Sequence, residues 1–285
     1  MNKYSLIAIL SAFLYALSIP ISKIFVLHNI SPIVLGGFTY LGAGIGLLLF
    51  NAKNSFRFKN PLTKKEMPYT IAMVILDIFA ITFLMLGLKR VNSSTTSLLS
   101  NVEIVSTSLI AFIIFNEKIS KKMWSAIILI IFASLILSLN DFNIQFNIGS
   151  FLVLLSFIFW GIENNCTKMI SSKNTTEITI IKGLSSGIIS LIIAHFFKFN
   201  FPDIKTILLI LTMGFISYGV SVSLYIYSQN KLGAAKTASY FSFVPYFGVI
   251  LSIIFLMEIP DIKFYIAFLI MLFAGILISK DNKLN

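Results

Sequence analysis

"SFIFWGIENNCTK", residues 156–168, sets Glu163, Asn164 and Asn165 inside an otherwise apolar run. A stretch this greasy reads as membrane-spanning, and charged or amide side chains at that depth need a reason. The first clue lies 145 residues upstream, where residues 11–23 read "SAFLYALSIPISK". At that offset Ser11 aligns with Ser156, Tyr15 with Trp160, Ala16 with Gly161, Ser22 with Thr167, Lys23 with Lys168 and, further on, Gly42 with Gly187. An offset of 141 aligns Thr96 with Thr237, Glu117 with Glu258, Trp124 with Tyr265, Ala133 with Ala274 and Ser138 with Ser279. Single matches between apolar segments arise by chance. Several at a shared offset indicate an internal repeat, with halves 1–140 and 141–285.

Composition agrees with a bilayer protein. Hydrophobic residues make up 57% of the chain and charged residues 12%, against roughly a quarter charged in soluble domains. Polar and turn-forming punctuation such as "HNISP", "NEKISKK", "KFNFPD" and "EIPD" divides the chain into ten apolar segments, at 4–27, 31–52, 68–88, 92–115, 122–140, 147–170, 177–198, 204–227, 234–257 and 262–280. The connections are short, so no soluble domain is inserted. The N-terminal run contains Tyr15 and Pro20 and lacks a small-x-small cleavage site, so it reads as a first span rather than a signal peptide. Asn174 followed by Glu177 has capping-box spacing at the start of the seventh span.

The net charge of +11 does not point to nucleic acid here. Its basic residues concentrate in alternate connections, led by Lys53, Arg57, Lys59, Lys64 and Lys65, then Lys118, Lys121 and Lys122. That bias predicts both termini in the cytoplasm. Each half holds five spans, an odd number, so the second half enters the bilayer inverted. The expected fold is an all-α integral membrane protein: ten transmembrane helices, two inverted five-helix repeats, a central cavity between them.

The paired "SAFLYALSIPISK" and "SFIFWGIENNCTK" resemble the aromatic–small step, followed by a basic residue, in the first helix of each repeat of the EamA-like branch of the drug/metabolite transporter superfamily. "FNEKIS" and "LMEIPD" resemble that family's glutamate closing the fourth helix of each repeat, here Glu117 and Glu258. The resemblance covers essentially the whole chain. It implies a basket-like bundle with a central cavity and export of small metabolites, often amino acids, or of drugs, and it leaves the substrate open. Glu163-Asn164-Asn165 departs from the apolar or small residues such a helix usually carries.

Candidate pathway residues follow from helical spacing. Ser156, Trp160, Glu163, Asn164 and Thr167 share one face of the sixth span, and Ser11, Tyr15, Ser18 and Ser22 occupy the matching face of the first. These two stripes are expected to face one wet cavity, the alternative being a polar network that only joins helices. Asn165 points away and is expected to bond a neighbouring helix. Thr96, Ser100, Glu103 and Thr107 form a further stripe on the fourth span. Asp77, whose repeat counterpart is Tyr218, is the third deep carboxylate. Tyr218, Tyr225, Tyr240 and Phe241 offer either a ring-binding surface or ordinary packing. Lys182 is expected to snorkel to the surface, pairing with an intramembrane carboxylate being the alternative. Glu117 and Glu258 read first as polar helix ends. Gly42 and Gly46, like Gly183 and Gly187, have GxxxG spacing that serves either a contact within the bundle or a dimer, so monomer and homodimer stay open.

The expected function is secondary active transport of a small metabolite across the cell membrane by alternating access. Low dielectric favours the neutral form of a carboxylate, so Glu163 or Glu103 is a candidate proton carrier and the other a candidate partner for a substrate ammonium. No GxxxxGK[ST] loop occurs, so ATP drive would need another subunit. Two histidines and the single Cys166 supply no metal or haem constellation, and no cofactor is expected. The alternatives are an uncoupled facilitator or exchanger, a membrane-embedded enzyme, and an auxiliary subunit.

Overall fold

A computed structural model of the chain describes residues 3–52, 62–139, 147–170, 174–232, 237 and 240–279. The expected half boundary at 140/141 and the start of the ninth span, except Thr237, lie outside the described residues. The regular elements are helices: α1 Lys3–Ala16, α2 Ser18–Leu27, α3 Pro32–Ala52, α4 Met67–Leu88, α5 Ser93–Leu99, α6 Asn101–Phe115, α7 Lys121–Ser138, α8 Ile148–Met169, α9 Thr175–Phe196, α10 Ile204–Gly214, α11 Ser221–Leu232, α12 Val244–Leu256 and α13 Ile262–Ser279. A π-helical turn, Phe215–Val220, joins α10 to α11. Among the described residues, eight continuous stretches are long and apolar enough to cross a membrane, and two shorter apolar helices follow. The 22 residues of α8 rise about 33 Å at 1.5 Å per residue, enough for a hydrocarbon core of ~30 Å. The chain is a multi-pass membrane protein.

Four of the expected spans are interrupted among the described residues, the ninth by a turn at 242–243 before α12 and the other three for different reasons. Between α1 and α2 the ladder tightens at Leu17, whose amide bonds Leu14 O at 3.3 Å. Pro20 has no N–H for Ala16 O and its ring crowds that carbonyl, so the helix bends there. Between α5 and α6 the hydroxyl of Ser100 takes Ser97 O at 2.7 Å and competes with the backbone ladder. The third interruption is the π turn, which contains no proline. Helix starts are capped by side chains: Asn147 accepts from Gly149 and Ser150, Asn174 from Glu177, and Asp203 from Thr206. Asn174 thus caps where its spacing predicted.

Packing inverts the habit of soluble proteins. Serines and small residues fill the interior, including Ser11, Ser22, Ser156, Ser221 and Ala12, while Leu49, Phe50, Ile113, Ile128 and Phe196 face outward. Lipid is as apolar as leucine, so helices associate through close approach rather than hydrophobic burial. The α3–α9 contact shows this. A Cβ on Gly183 would sit 2.7 Å from Gly44 N, and one on Gly187 would sit 2.7 Å from Leu41 N. Gly42 likewise lies against α10, where a Cβ would meet Leu211 Cα at 2.7 Å. The GxxxG pairs therefore serve contacts within the bundle.

The helix contacts respect the internal repeat. α3 packs on α9 and α7 on α13, which are repeat counterparts. α4 packs on α8, and the counterpart contact is α11 on α1. α6 packs on α8, and α12 correspondingly on α1. Exchanging the halves leaves this set of contacts unchanged.

Candidate functional site

Where α3, α4, α8 and α9 meet, the sequence brings polar groups into the bundle interior. Asp77 on α4 is fully buried and Glu163 on α8 nearly so. Lys182 of α9 lies between them, its Nζ 3.2 Å from Asp77 Oδ1 and 3.0 Å from Glu163 Oε2. The expected snorkelling of Lys182 is thereby corrected. Two carboxylates in low dielectric hold its ammonium more strongly than the distant interface can.

Neutral donors complete this cluster. Tyr40 OH donates to Asp77 Oδ1 at 2.8 Å, and Trp160 Nε1 donates to the same oxygen at 3.1 Å and to Tyr40 OH at 3.2 Å. Thr167 Oγ1 donates to Glu163 Oε1 at 2.5 Å, one turn along α8. Three donors thus converge on Asp77 Oδ1, while the buried Asp77 Oδ2 has no hydrogen-bond partner among the described residues. An acceptor left unsatisfied in a dry interior costs about 1–3 kcal/mol.

A second acidic position lies further around α8. Asn164 Nδ2 donates to Glu103 Oε1 at 2.8 Å and to Thr107 Oγ1 at 3.3 Å. Glu103 forms no direct ion pair among the described residues, though Glu163 and Lys182 lie within electrostatic range, and it remains half-buried where Asp77 and Glu163 are sealed. Asn165 turns from both acids: its Nδ2 bonds Thr107 O at 3.1 Å and Gly161 O at 2.8 Å, tying α8 to α6. Gly161 permits that approach, since a Cβ there would stand 2.6 Å from Ser106 Cβ.

An aromatic run continues from the first cluster. Tyr40 and Tyr218 have ring centroids 6.1 Å apart, Tyr218 and Tyr15 5.1 Å, Tyr15 and Phe241 5.3 Å, and Phe241 and Tyr225 4.9 Å. Tyr15 and Tyr218 both lie within electrostatic range of Glu103. Ser18 lies within hydrogen-bonding reach of Tyr218.

The structure thus gathers Glu163, Asp77 and Trp160 into one network, joins Asn164 to Glu103, and sets Tyr15, Ser18 and Tyr218 beside them. Thr96 and Ser100 bond their own backbone, at Asn92 O and Ser97 O. The serine stripe of the first span makes helix contacts: Ser11 and Ser221 exchange hydroxyl-to-carbonyl bonds of 2.9 Å, and Ser22 meets Met213 Sδ at 3.8 Å. Sequence reasoning missed Tyr40. Its signal was its place in "GGFTYLGAGIG", because the glycines that bring α3 against α9 also bring Tyr40 to Asp77 and Trp160.

Two repeat-related corners lie at the span ends. Lys23, nearly buried, donates from Nζ to Leu88 O at 2.5 Å and Val91 O at 2.7 Å. Close by, Glu258 accepts from the amides of Ser93 and Ser94, each at 2.7 Å, so a carboxylate caps the N-terminus of α5. The counterparts, Lys168 and Glu117, form an ion pair whose side chains are 51% and 47% exposed. Each glutamate follows a helix ending in a left-handed residue, Asn116 at φ 53° and Met257 at φ 51°.

Comparison with known proteins adds to this picture. A sequence profile described as the EamA-like transporter family matches the chain twice, over residues 2–139 and 147–280. A protein of Methanothermobacter thermautotrophicus described as an uncharacterized transporter is 27% identical over 290 aligned residues, covering 94% of this chain and 83% of that protein. A solved crystal structure superposes with a TM-score of 0.68 at 12% identity, over 97% of this chain and 95% of the other, a likeness of fold.

Proposed function

Because the chain belongs to the EamA-like transporter family, we propose that it is a secondary active transporter, exporting a small metabolite across the cell membrane by alternating access. The observation that carries this reading is the buried Asp77–Lys182–Glu163 cluster within the membrane-spanning helices. Ionisable groups at such depth are costly and mark pathways or proton relays. The exchange-invariant contacts between halves support two inverted repeats that rock about this cluster. In this reading both termini are cytoplasmic. The Lys23–Glu258 corner then closes the outer end, and the Glu117–Lys168 corner stands at the inner end.

The cluster also suggests the coupling ion. Two carboxylates and one ammonium carry an excess negative charge, and one proton on Asp77 or Glu163 neutralises it. A neutral cluster crosses between the two access states at lower electrostatic cost than a charged one. Asp77 Oδ2, with no partner among the described residues, is an available position for that proton. Trp160 and Tyr40 hold Asp77 in place while the proton comes and goes.

Purified protein in liposomes, given a panel of amino acids and amines with and without a pH gradient, tests this. Gradient-driven flux that is lost in Glu163→Gln and Asp77→Asn, with substrate binding retained, is expected. Flux that ignores the gradient reduces the function to uncoupled exchange. No flux for any member of a broad metabolite panel overturns the transport reading.

A further inference from the structure

The charge inventory of the interior points to the chemistry of the cargo, an argument that rests on the transport reading above. Lys182 is already engaged by Asp77 and Glu163. Among the described residues, the donor at Glu103 Oε1 is the neutral Asn164. Two further buried acceptors, Asp77 Oδ2 and Asn165 Oδ1, have no donor among the described residues. Around this site the described residues supply three carboxylates, Asp77, Glu163 and Glu103, and one ammonium, Lys182, so negative charge is in excess.

Glu103 also differs from the other two acids in reach. Glu103, Asn164, Tyr15, Tyr218 and Phe241 are each only half-buried. The ring of Tyr15 meets both Tyr218 and Phe241 in edge-on geometry, at 69° and 62°. An aromatic cluster beside a carboxylate suits one kind of guest: the carboxylate meets a positive charge, ring faces add cation–π attraction, and ring edges pack an apolar body. An anionic guest would meet Glu103, and the cation within range, Lys182, is already paired with Asp77 and Glu163.

We propose that Glu103, backed by Asn164 and walled by Tyr15, Tyr218 and Phe241, is the receptor for the ammonium of an amine whose remainder is apolar or aromatic. A free carboxylate on the guest is disfavoured, so the site prefers amines to zwitterionic amino acids. Asn164 is a positioning residue: it holds Glu103 Oε1 and leaves the second oxygen for the guest.

Binding to detergent-solubilised protein separates this from transport. Calorimetric titration with tyramine, benzyltrimethylammonium and butylamine is compared with tyrosine and with the uncharged tyrosol. The expected result is saturable binding of at least one cation, roughly tenfold or more tighter than tyrosine or tyrosol, and roughly tenfold weaker in Glu103→Gln. Glu103→Asp should recover part of the loss. Phe241→Leu, a packing-conservative change, should weaken the aromatic cations more than butylamine, and its melting temperature checks that the fold is intact. Absence of cation-selective binding, or affinity unchanged in Glu103→Gln, overturns the proposal. Cation binding without flux in liposomes leaves the receptor standing and removes the transport reading instead.

Discussion

The two corners built from Lys23 with Glu258 and from Lys168 with Glu117 occupy equivalent places in the two halves, yet they bond differently. At the first, base and acid are each spent on backbone: Lys23 on the carbonyls that end α4 and its turn, Glu258 on the amides that open α5. At the second, base and acid meet each other in solvent. The same residue types at the same repeat positions thus make a sealed cap in one half and a surface ion pair in the other. Matching residue types in the two halves form two different arrangements in one structure. If the halves alternate, the exposed corner is the one that must form the sealed arrangement when the protein switches.

The comparison breaks most readily at Lys23. Lys23→Met leaves two buried carbonyls without a charged donor and should cost about 3 kcal/mol, since bonds to charged groups are worth about 1.5–3 kcal/mol each. Reversible unfolding in mixed micelles measures it, and a loss equal to that of Lys168→Met would erase the difference between corners. Glu258→Gln keeps one acceptor for Ser93 and Ser94 but loses the charge at the α5 N-terminus, and a smaller loss of about 1–2 kcal/mol is expected. A double-mutant cycle on Glu117 and Lys168 should give under about 1 kcal/mol, falling towards zero in 1 M salt, where the screening length is about 3 Å. Coupling that persists in high salt would make the exposed pair the equal of the sealed corner. The smallest effect serves as a control away from both corners. The Thr206 hydroxyl and amide hold the carboxyl of Asp203 below its ordinary range. The stability it lends α10 is therefore present above that ordinary range and fades as pH falls through the lowered value, and Asp203→Asn should flatten the acid limb of the melting profile.

Much of this was readable from residue patterns. Ten apolar segments were expected, and the described helices follow their limits closely from α3 to α10. Pro20 announced the bend in the first span. Asn174 and Glu177 announced a helix start. Chemistry that depends on partners far along the chain was less legible. Spacing could place Lys182 within reach of the surface, but only the crossing of α4, α8 and α9 shows two carboxylates nearer than the surface. Tyr40 carries no charge and sits among glycines, so nothing local marks it as a ligand of Asp77. The π turn at Phe215–Val220, which packs against α3, contains no residue that signals an altered ladder. Glu163 and Asn164, adjacent in sequence and about 100° apart around the helix, bond different partners, a division that a shared polar face blurs.

The glycine seam between α3 and α9 has a consequence for how this chain tolerates change over generations. Any missense change at Gly44, Gly183 or Gly187 adds at least one carbon, and at each position that carbon meets facing backbone within 2.7 Å. Backbone cannot rotate aside as a side chain can. A saturation library selected for folded protein should therefore retain almost nothing but the parental codons along this seam, while the lipid-facing positions drift freely.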